Sequence, residues 1–527
     1  MFLFIHAQFV PSQLGNQGQP LKLSIKRTSS WFEVRDARGT IHARLKNRVA
    51  YPGTYCTQLA NGDVLLGYGA QQPAPNDEFL RVFIAANGSI SIERDVYCTL
   101  PLFYSASPTC FLMSNIYADV VAGLATPPTL SPVHLAGFFI HKRLPQPATM
   151  WQEISILGER CSLHYSRDAA PPTSPPPRSW KYNDELSPTE PRDFPALIGH
   201  AFFRFAASRF RNQVVGFELS GGLDSSFLPL YLAKAGCHLP AVGASLLQPE
   251  HQAFAQQSFK IDQLQQNLRL PIARIRLQQP QHYPLAITHP HPLHLAHELY
   301  ETAMAEMATY FQQNGVSVVA TGLGGDQLVE HTPAHPSGNS LTIDPFITEA
   351  FRQVALSCSN PQPVSTLLSP SVVEENVAHA NLYIERDIWP VSPFYDVALF
   401  NFMQALPLQF RANKNIYRAY FQSAHFPEVL YHGPNEDFSH FFATALLSAR
   451  CQSLVAHFAA NSALHRAGFI DSQKLQQTYL LLVAMGPQST QLSLNTLYSV
   501  YLWLAAEINL HAYENPRGAY DRNIRAH

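Results

Sequence analysis

Alternating hydrophobic and polar positions dominate the first third of the chain. From the start to residue 167, short runs rich in Val, Ile, Phe and Tyr are separated by turn sequences such as Asn61-Gly62-Asp63 and Asn87-Gly88. Alternation with a period of two is typical of strands with one buried face, and such turns favour connections between antiparallel neighbours. The pattern therefore predicts a mainly antiparallel β-sheet domain over residues 1–167.

Prolines interrupt this pattern between residues 168 and 195. They are Pro171, Pro172, Pro175, Pro176, Pro177, Pro188, Pro191 and Pro195. Proline lacks a backbone N–H and has a fixed φ, so this density excludes a helix interior or a central strand. We predict a proline-rich linker over 168–195 and a second domain over 196–527.

The second domain alternates between helical and strand-like segments. The predicted elements are a helix over Ala196 to Phe210, a strand over Gln213 to Leu219, a helix over Phe227 to Ala235, and strands over Leu239 to Leu246 and Val316 to Ala320. Such alternation predicts an α/β fold with a parallel sheet and right-handed crossovers. From about Asp437 the pattern is almost entirely helical, including a helix over Leu492 to Ile508.

The strongest chemical signal is the loop Ser220-Gly221-Gly222-Leu223-Asp224-Ser225-Ser226, between a predicted strand and a predicted helix. Glycines let a backbone approach a ligand closely, and hydroxyl and N–H groups at a helix start favour an anion. The loop therefore predicts a pyrophosphate-binding turn. Pro229 is consistent with a helix start nearby, because proline is tolerated in a first turn.

Asp224 would repel phosphates unless a cation lay between them. Mg²⁺ is commonly held by one or two carboxylates together with phosphate oxygens, so a second carboxylate is expected. Thr321-Gly322-Leu323-Gly324-Gly325-Asp326 follows another predicted strand, at the sheet edge where parallel sheets bind ligands. We predict Asp224 and Asp326 as the metal pair. The competing interpretation is two tight turns whose aspartates cap helices.

Composition and charge exclude several other classes of protein. Hydrophobic residues make up 46% of the chain, which is typical of a globular protein, and the net charge of −2 supplies no basic face for nucleic acid. No apolar run approaches a membrane span, and the opening MFLFIHAQFV lacks the features of a secretory signal. The seven cysteines form no C-x-x-C pair. We expect a cytoplasmic protein without a nucleic-acid or membrane partner.

The loop SGGLDSS resembles the pyrophosphate loop of N-type ATP pyrophosphatases, and further segments resemble the asparagine-synthetase family. These are Arg94-Asp95 with Leu100 to Tyr104 (R-D-x-x-G-x-x-P-L-Y-Y), TGLGGDQ (S-G-x-G-G-D-E), Val391 to Asp396 (V-P-F-L-D) and Lys414 to Arg418 (K-x-x-L-R). They occur in the family's order along nearly the whole chain. The resemblance implies an amidotransferase-like first domain and an ATP-dependent synthetase domain.

Departures from the family pattern concern the nitrogen source. Glutamine-hydrolysing members carry a cysteine nucleophile after the initiator methionine, whereas this chain has Phe2. The β-lactam and carbapenam synthetases and the lasso-peptide macrolactam synthetases share that loss, and the C-terminal helical pattern is most similar to the lasso cyclases. The resemblance implies that a peptide or small-molecule carboxylate is adenylated and captured by an amine of the same molecule, with ATP and Mg²⁺ as cofactors. A leader-peptide protease is the implied partner.

The residues predicted to bind ATP or pyrophosphate are Leu219, Ser220, Gly221, Gly222, Asp224, Ser225, Ser226, Val242, Gly243, Thr321 and Gly322. Val242 and Gly243 are included because the end of the next strand should border the adenine. Lys414 and Arg418 are the predicted catalytic residues, Lys414 because it matches a family lysine that stabilises charge.

The base that deprotonates the amine is not identified by the resemblance. The family has a polar residue at the position of Leu323, which cannot transfer a proton. Glu385 and His331 are candidates by sequence proximity. A zinc site at His289, His291, His294 and His297 is disfavoured, because their surroundings predict a loop leading into a helix.

Three other functions compete with ring closure. The first is an RNA-modifying or sulfur-transferring pyrophosphatase, which the neutral charge and missing cysteine pairs disfavour. The second is a catalytically silent interaction protein, favoured only by Leu323 and by Gln327 where glutamate is usual. The third is an amide ligase that uses ammonia or another free amine.

Overall fold

The computed structural model describes most of both predicted domains. The described residues are 3–8, 21–37, 39–48, 52–73, 77–141, 149–166, 194–237, 239–248, 254–277, 301–330, 344–357, 379–432, 439–487 and 491–514. The predicted linker lies almost wholly outside these residues, as do His331 and the four histidines between 289 and 297.

Twelve strands form two antiparallel sheets in the N-terminal part of the chain. They are β1 (Leu3–Gln8), β2 (Leu23–Arg27), β3 (Trp31–Asp36), β4 (Ile41–Lys46), β5 (Thr54–Gln58), β6 (Val64–Gly69), β7 (Phe79–Ile84), β8 (Ile90–Arg94), β9 (Phe103–Ser107), β10 (Cys110–Ser114), β11 (Ser155–Ile156) and β12 (Ser162–Tyr165). Seven strands pair in the order β11-β9-β10-β1-β4-β3-β2, and five in the order β12-β8-β7-β6-β5. The predicted antiparallel layer is confirmed.

The alternation of apolar and polar residues in the sequence corresponds to an alternation of buried and partly exposed side chains, as β4 shows. In β4, Ile41, Ala43 and Leu45 are fully buried while His42, Arg44 and Lys46 are partly exposed. Burying one face of each strand removes its apolar side chains from water, which stabilises each buried side chain by about 1.5–3 kcal/mol. The register is fixed by this requirement, because a shift of one residue would turn the apolar set to solvent.

Five strands form a parallel sheet in the C-terminal part, as predicted. They are β13 (Val215–Glu218), β14 (Ala241–Leu247), β15 (Ile272–Arg276), β16 (Val318–Ala320) and β17 (Trp389–Val391). Their order is β15-β14-β13-β16-β17. β14 and β15 lie on one side of β13, and β16 and β17 lie on the other. Sheets with this order bind ligands in the crevice at the carboxyl ends of the strands where the direction changes, which here is between β13 and β16.

The described α-helices include two in the N-terminal part, those around the parallel sheet, and those of the C-terminal extension. They are α1 (Tyr117–Gly123), α2 (Pro132–His141), α3 (Phe194–Arg209), α4 (Leu223–Lys234), α5 (Phe254–Leu268), α6 (Glu301–Gln313), α7 (Gly325–Glu330), α8 (Glu349–Ser357), α9 (Val397–Ala405), α10 (Leu408–Arg411), α11 (Asn415–Ser423), α12 (Ser439–Leu446), α13 (Ala449–Ala460), α14 (Ala463–Arg466), α15 (Ser472–Met485) and α16 (Gln491–Glu514). Short 3₁₀ helices span Pro393–Tyr395, Ala412–Lys414 and Glu428–Leu430. None of the helices described is long and apolar enough to cross a membrane.

One helix start differs from the prediction. The helix expected from Phe227 begins at Leu223, directly after Gly222. Pro229 is therefore the seventh residue of α4 and not part of its first turn, so the expectation about Pro229 is corrected. Because proline has no N–H, α4 lacks one internal hydrogen bond at this point.

The antiparallel sheets are anchored to the parallel sheet by a buried carboxylate. Glu78 Oε1 accepts hydrogen bonds from Thr99 Oγ1 at 2.7 Å and from Trp389 Nε1 at 2.8 Å, and Arg209 Nη1 lies 2.9 Å from Glu78 Oε2. The Trp389 ring packs edge-on against Tyr68, with centroids 5.1 Å apart. Since Trp389 lies in β17, this contact links the N-terminal part to the strand beside β16.

We expect Glu78→Ala to destabilise the folded chain by about 3–5 kcal/mol, because it removes a buried carboxylate that Arg209, Thr99 and the Trp389 N–H contact. Glu93→Ala is the matched control. Glu93 pairs with Arg81 at the surface, and loss of such a pair costs less than about 1 kcal/mol. Thermal unfolding midpoints measure both variants. Equal shifts would show that the junction contributes no more than a surface pair.

Candidate active site

The first glycine-rich loop connects β13 to α4 at the crevice. Gly221 has φ +83°, a conformation that glycine adopts without strain. Gly222 is the N-cap of α4 and makes no side-chain cap hydrogen bond. The N–H groups at a helix start have no partner within the helix. The start of α4 therefore offers donors and a favourable dipole to an anion.

Hydrogen bonds of the Ser220 and Ser225 hydroxyl groups stabilise this loop. Ser220 Oγ and Ser225 Oγ are 3.0 Å apart, and the N–H of Gly222 donates to Ser220 Oγ at 3.2 Å. Ser226 differs, because it is fully buried and its Oγ has no hydrogen-bond partner among the described residues. Ser220 is exposed and Ser225 lies beside it, so these two hydroxyls border the crevice while Ser226 lies beneath the loop.

The second glycine-rich loop, Thr321 to Gly324, connects β16 to α7 and packs directly on the first. A Cβ atom on Gly322 would lie 3.3 Å from the Ser225 backbone nitrogen, and one on Gly325 would lie 2.4 Å from Asp224 Cγ. The buried Thr321 is held by its own N–H, which donates to the Val391 carbonyl at 2.9 Å. Only glycine permits this approach, so backbone packing fixes how the two loops meet.

The two loops bring Asp224 and Asp326 to one cation. Lys414 Nζ contacts Asp224 Oδ2 and lies 2.5 Å from Asp326 Oδ1. The Asp224 side chain is only 14% exposed, whereas that of Asp326 is 64% exposed. Both carboxylates are therefore close enough to share one cation, with Asp224 forming the buried side of the site.

Burial and charge act in opposite directions on these groups. Burial raises the pKa of Asp224 to about 6, although Lys414 lowers it, and the nearby Asp326 raises it further. Burial by itself would lower the pKa of Lys414, but its two carboxylate partners raise it. The ammonium therefore stays charged and partly neutralises the pair.

The backbone that presents Lys414 is unusual. Asn413 (φ 54°, ψ 25°) and Lys414 (φ 58°, ψ 28°) are consecutive non-glycine residues in the left-handed region, in the segment Ala412–Lys414 that directly precedes α11. Each such residue costs roughly 1–2 kcal/mol, and such conformations concentrate at functional sites. The turn directs the lysine to Asp224, which lies 190 positions earlier in the chain.

Two further cations lie on the other side of the first loop. A Cβ on Gly221 would lie 3.4 Å from Lys260 Cβ, and Lys260 is 5% exposed. Burial lowers the pKa of Lys260, as does the charge of Arg418. The Arg418 guanidinium also donates to the Asn413 carbonyl at 3.1 Å. Arg418 was predicted from the sequence, whereas Lys260 was not, because only its burial within α5 distinguishes it from a surface lysine.

Val242 and Gly243 lie elsewhere in their strand than predicted. They are the second and third residues of β14, paired with Gly216 and Phe217, and not its last residues. Leu219 is buried, and its N–H donates to Ala244 at 2.8 Å. The placement at the strand end is corrected, because β14 continues to Leu247. The topological reason for adenine contact therefore does not hold.

The candidate base Glu385 lies at the wrong edge of the sheet. It is exposed and precedes β17, so it is at the amino edge, opposite the two loops. Its neighbour Arg386 accepts a hydrogen bond from Gln312 at the end of α6, at that same edge. Leu323 is half-buried, and its carbonyl accepts a hydrogen bond from Ser392 Oγ at 2.6 Å. Glu385 is therefore corrected as a candidate base.

The donor set at the crevice suits Mg²⁺. Asp224 Oδ1 is buried without a hydrogen-bond partner among the described residues, which is costly unless a ligand satisfies it. Over the described ranges there is no group of three or more His, Cys, Asp or Glu side chains that could hold a metal by themselves. Mg²⁺ needs only one or two carboxylates when phosphate oxygens complete its shell.

Comparisons with known proteins provide no functional assignment. No family model matches the sequence, and no curated protein matches it. Among solved structures, the chain is similar to the U34-tRNA thiolase NcsA from Methanococcus maripaludis with its 4Fe–4S cluster. The identity is 10%, the match covers 58% of this chain and 85% of that chain, and the TM-score is 0.26. A similarity of this size carries no argument about activity, so function is inferred from the site.

We expect Gly324→Ala to lower the thermal midpoint much more than Gly315→Ala. Both glycines have positive φ, but a Cβ on Gly324 would lie 2.0 Å from Tyr395 Cε1, whereas one on Gly315 meets nothing within 4 Å. The shared backbone cost is about 1–2 kcal/mol, and the clash adds roughly 1–3 kcal/mol. Similar shifts in the two variants would contradict the close packing of the second loop.

Proposed function

We propose that this protein is an ATP- and Mg²⁺-dependent enzyme that adenylates a carboxylate and transfers the acyl group to an amine. One observation carries the proposal: Asp224 and Asp326, from two glycine-rich loops, meet at Lys414 beside the uncapped start of α4. Paired carboxylates next to an anion-binding helix start suit a metal-bound triphosphate.

Each group at the crevice has a role in the first half-reaction. The N–H groups at the start of α4, with Ser220 and Ser225, bind the pyrophosphate that leaves when the substrate carboxylate attacks the α-phosphorus. Mg²⁺, held by Asp224 and Asp326, would neutralise charge on the phosphates. Lys260 and Arg418 add positive charge on the far side of Gly221, where leaving-group charge increases.

Lys414 serves the acyl transfer in this proposal. Its ammonium neutralises the two aspartates in the absence of ligand and faces the crevice where the adenylate would lie. A cation fixed in a partly water-excluded site stabilises developing oxyanion or phosphate charge more effectively than one in water.

For the substrate, we propose ring closure by an amine of the same molecule, as in lasso-peptide macrolactam formation between a peptide N-terminus and an Asp or Glu side chain. The resemblance to the asparagine-synthetase family and Phe2 in place of a nucleophilic cysteine support this choice. A leader-peptide protease would then supply the peptide. The alternatives are a β-lactam or carbapenam synthetase and a ligase that uses free amines.

Isotope exchange between pyrophosphate and ATP tests the first half-reaction. We expect exchange that requires Mg²⁺ and a peptide with a free amino terminus and one Asp or Glu side chain. Asp224→Asn and Asp326→Asn should each reduce it by at least about 100-fold, because each removes a charge-assisted metal contact. Asp262→Asn, which alters an exposed pair with Arg274, should leave exchange unchanged.

The outcomes of this exchange experiment separate the competing functions. Exchange with aspartate, followed by asparagine formation from ammonia, would replace ring closure with a free-amine ligase. Absence of exchange with every peptide and small carboxylate tried would contradict the adenylation proposal. It would favour an interaction protein without catalytic activity.

Lys260→Met tests the cation beside Gly221. Removing a buried charge-assisted contact to phosphate costs about 1.5–3 kcal/mol, so the Kd for ATP should rise by roughly 10- to 150-fold. Lys234→Met is the matched control, since Lys234 is exposed at the end of α4. Calorimetric titration with ATP and Mg²⁺ measures both variants, and an unchanged Kd for Lys260→Met would exclude a phosphate contact.

A further inference from the structure

An amine that attacks an acyl adenylate must first lose a proton, and the residues predicted from the sequence do not account for this step. Leu323 is apolar, and Glu385 lies at the opposite edge of the sheet. A base is therefore needed at the carboxyl edge, near the crevice between β13 and β16.

Glu218 is a carboxylate at that edge. It is the last residue of β13, two positions before Ser220, which corresponds to about 7 Å along an extended strand. Side chains alternate between the faces of a strand, so Glu218 lies on the face opposite Phe217. Phe217 packs near Phe210, whereas the other face of β13 lies against Phe311 of α6. Glu218 therefore lies at the carboxyl edge of β13 with its side chain on the α6 face of the sheet, where it contacts Tyr383.

The surroundings of Glu218 are unusual for a structural carboxylate. Its side chain is partly buried, and the Tyr383 hydroxyl donates a hydrogen bond to Oε1. Tyr383 is fully buried and is held by packing against Phe311, with ring centroids 6.4 Å apart. No lysine or arginine in the described ranges forms an ion pair with Glu218. Partial burial of a carboxylate without a lysine or arginine partner is unfavourable for stability, which points to another role.

Burial and two titratable groups, Tyr383 and His379, act on this carboxylate. Burial raises the pKa of Glu218, while the hydrogen bond from Tyr383 and the charge of His379, when it is protonated, lower it. Arg386 acts on Tyr383 and not on Glu218 itself. The net increase makes Glu218 a stronger base than an ordinary glutamate.

We propose, on the basis of the proposed ligase function, that Glu218 is the general base for the attacking amine and that Tyr383 is the positioning residue that orients its carboxylate.

The ammonium of the substrate gives one proton to the Glu218 carboxylate, and the neutral amine attacks the acyl carbon of the adenylate. The new C–N bond forms, and the C–O bond to AMP breaks with its electron pair leaving on AMP. The second amine proton and the proton held by Glu218 pass to solvent, which restores the carboxylate.

Glu218→Gln tests this role, because it keeps the shape and the oxygen that accepts from Tyr383. The probe is an N-acetylated peptide with one Asp or Glu side chain, offered with methylamine or hydroxylamine as the acceptor. We expect pyrophosphate exchange within about threefold of wild type and methylamide formation reduced by roughly 10²- to 10⁴-fold. Hydroxylamine capture should be retained, since hydroxylamine is largely neutral at neutral pH and needs no base.

Two further variants separate chemistry from structure. Tyr383→Phe removes a hydrogen bond to the charged carboxylate, so the rise of methylamide formation with pH should move to higher pH, while Glu218→Gln should lack that rise. Glu385→Gln, at the opposite edge, should match wild type throughout. Thermal midpoints verify that each variant is folded.

Measuring the two half-reactions separately distinguishes failure of the proposed ligase function from failure of the Glu218 assignment. If wild type gives no exchange with any carboxylate, the proposed function fails and Glu218 has no base role to fill. If exchange is normal but Glu218→Gln forms the methylamide at the wild-type rate, only the assignment of Glu218 is wrong. Parallel loss of exchange, methylamide and hydroxamate in folded Glu218→Gln would likewise overturn it, because it would show a role in ATP binding.

Discussion

The crevice depends on the contact between two glycine-rich loops. Because Gly322 and Gly325 have no side chains, the second loop lies directly on Ser225 and Asp224. This backbone contact holds the carboxylates of Asp224 and Asp326 near one another, although like charges repel. The ammonium of Lys414 offsets that repulsion and lies between the two loops. The site therefore depends on two contacts: the packing of the second loop on the first, and the Lys414 ammonium shared by Asp224 and Asp326.

The N-terminal sheets support this site from a distance. Glu78 receives hydrogen bonds from Trp389 of β17, and Arg48 donates to the Ser317 carbonyl just before β16, at 2.9 Å. The two strands nearest the second loop are thus held by side chains from the antiparallel part of the chain. These contacts give the N-terminal domain a structural role that does not require a catalytic residue of its own.

Charge is distributed unevenly around the first loop. Carboxylates lie on the side of the second loop, whereas Lys260 and Arg418 lie beyond Gly221, and Glu218 lies on the opposite face of the sheet. A ligand with phosphates would meet Lys260 on the Gly221 side of the loop and carboxylates on the side of the second loop. In a partly buried crevice these charges act more strongly than at an open surface.

The sequence by itself determined the features that depend on neighbouring residues. Alternation identified the antiparallel strands, strand–helix alternation identified the parallel sheet, and the position of each glycine-rich loop after a strand placed Asp224 and Asp326 at one edge. Tertiary structure decided what depends on length and register. The register of β14 placed Val242 and Gly243 beside Gly216 and Phe217 and not at the strand end, the parallel direction of β17 placed Glu385 opposite the site, and Tyr383 reached Glu218 from 165 positions away. Such contacts depend on how whole elements pack, which local patterns do not encode.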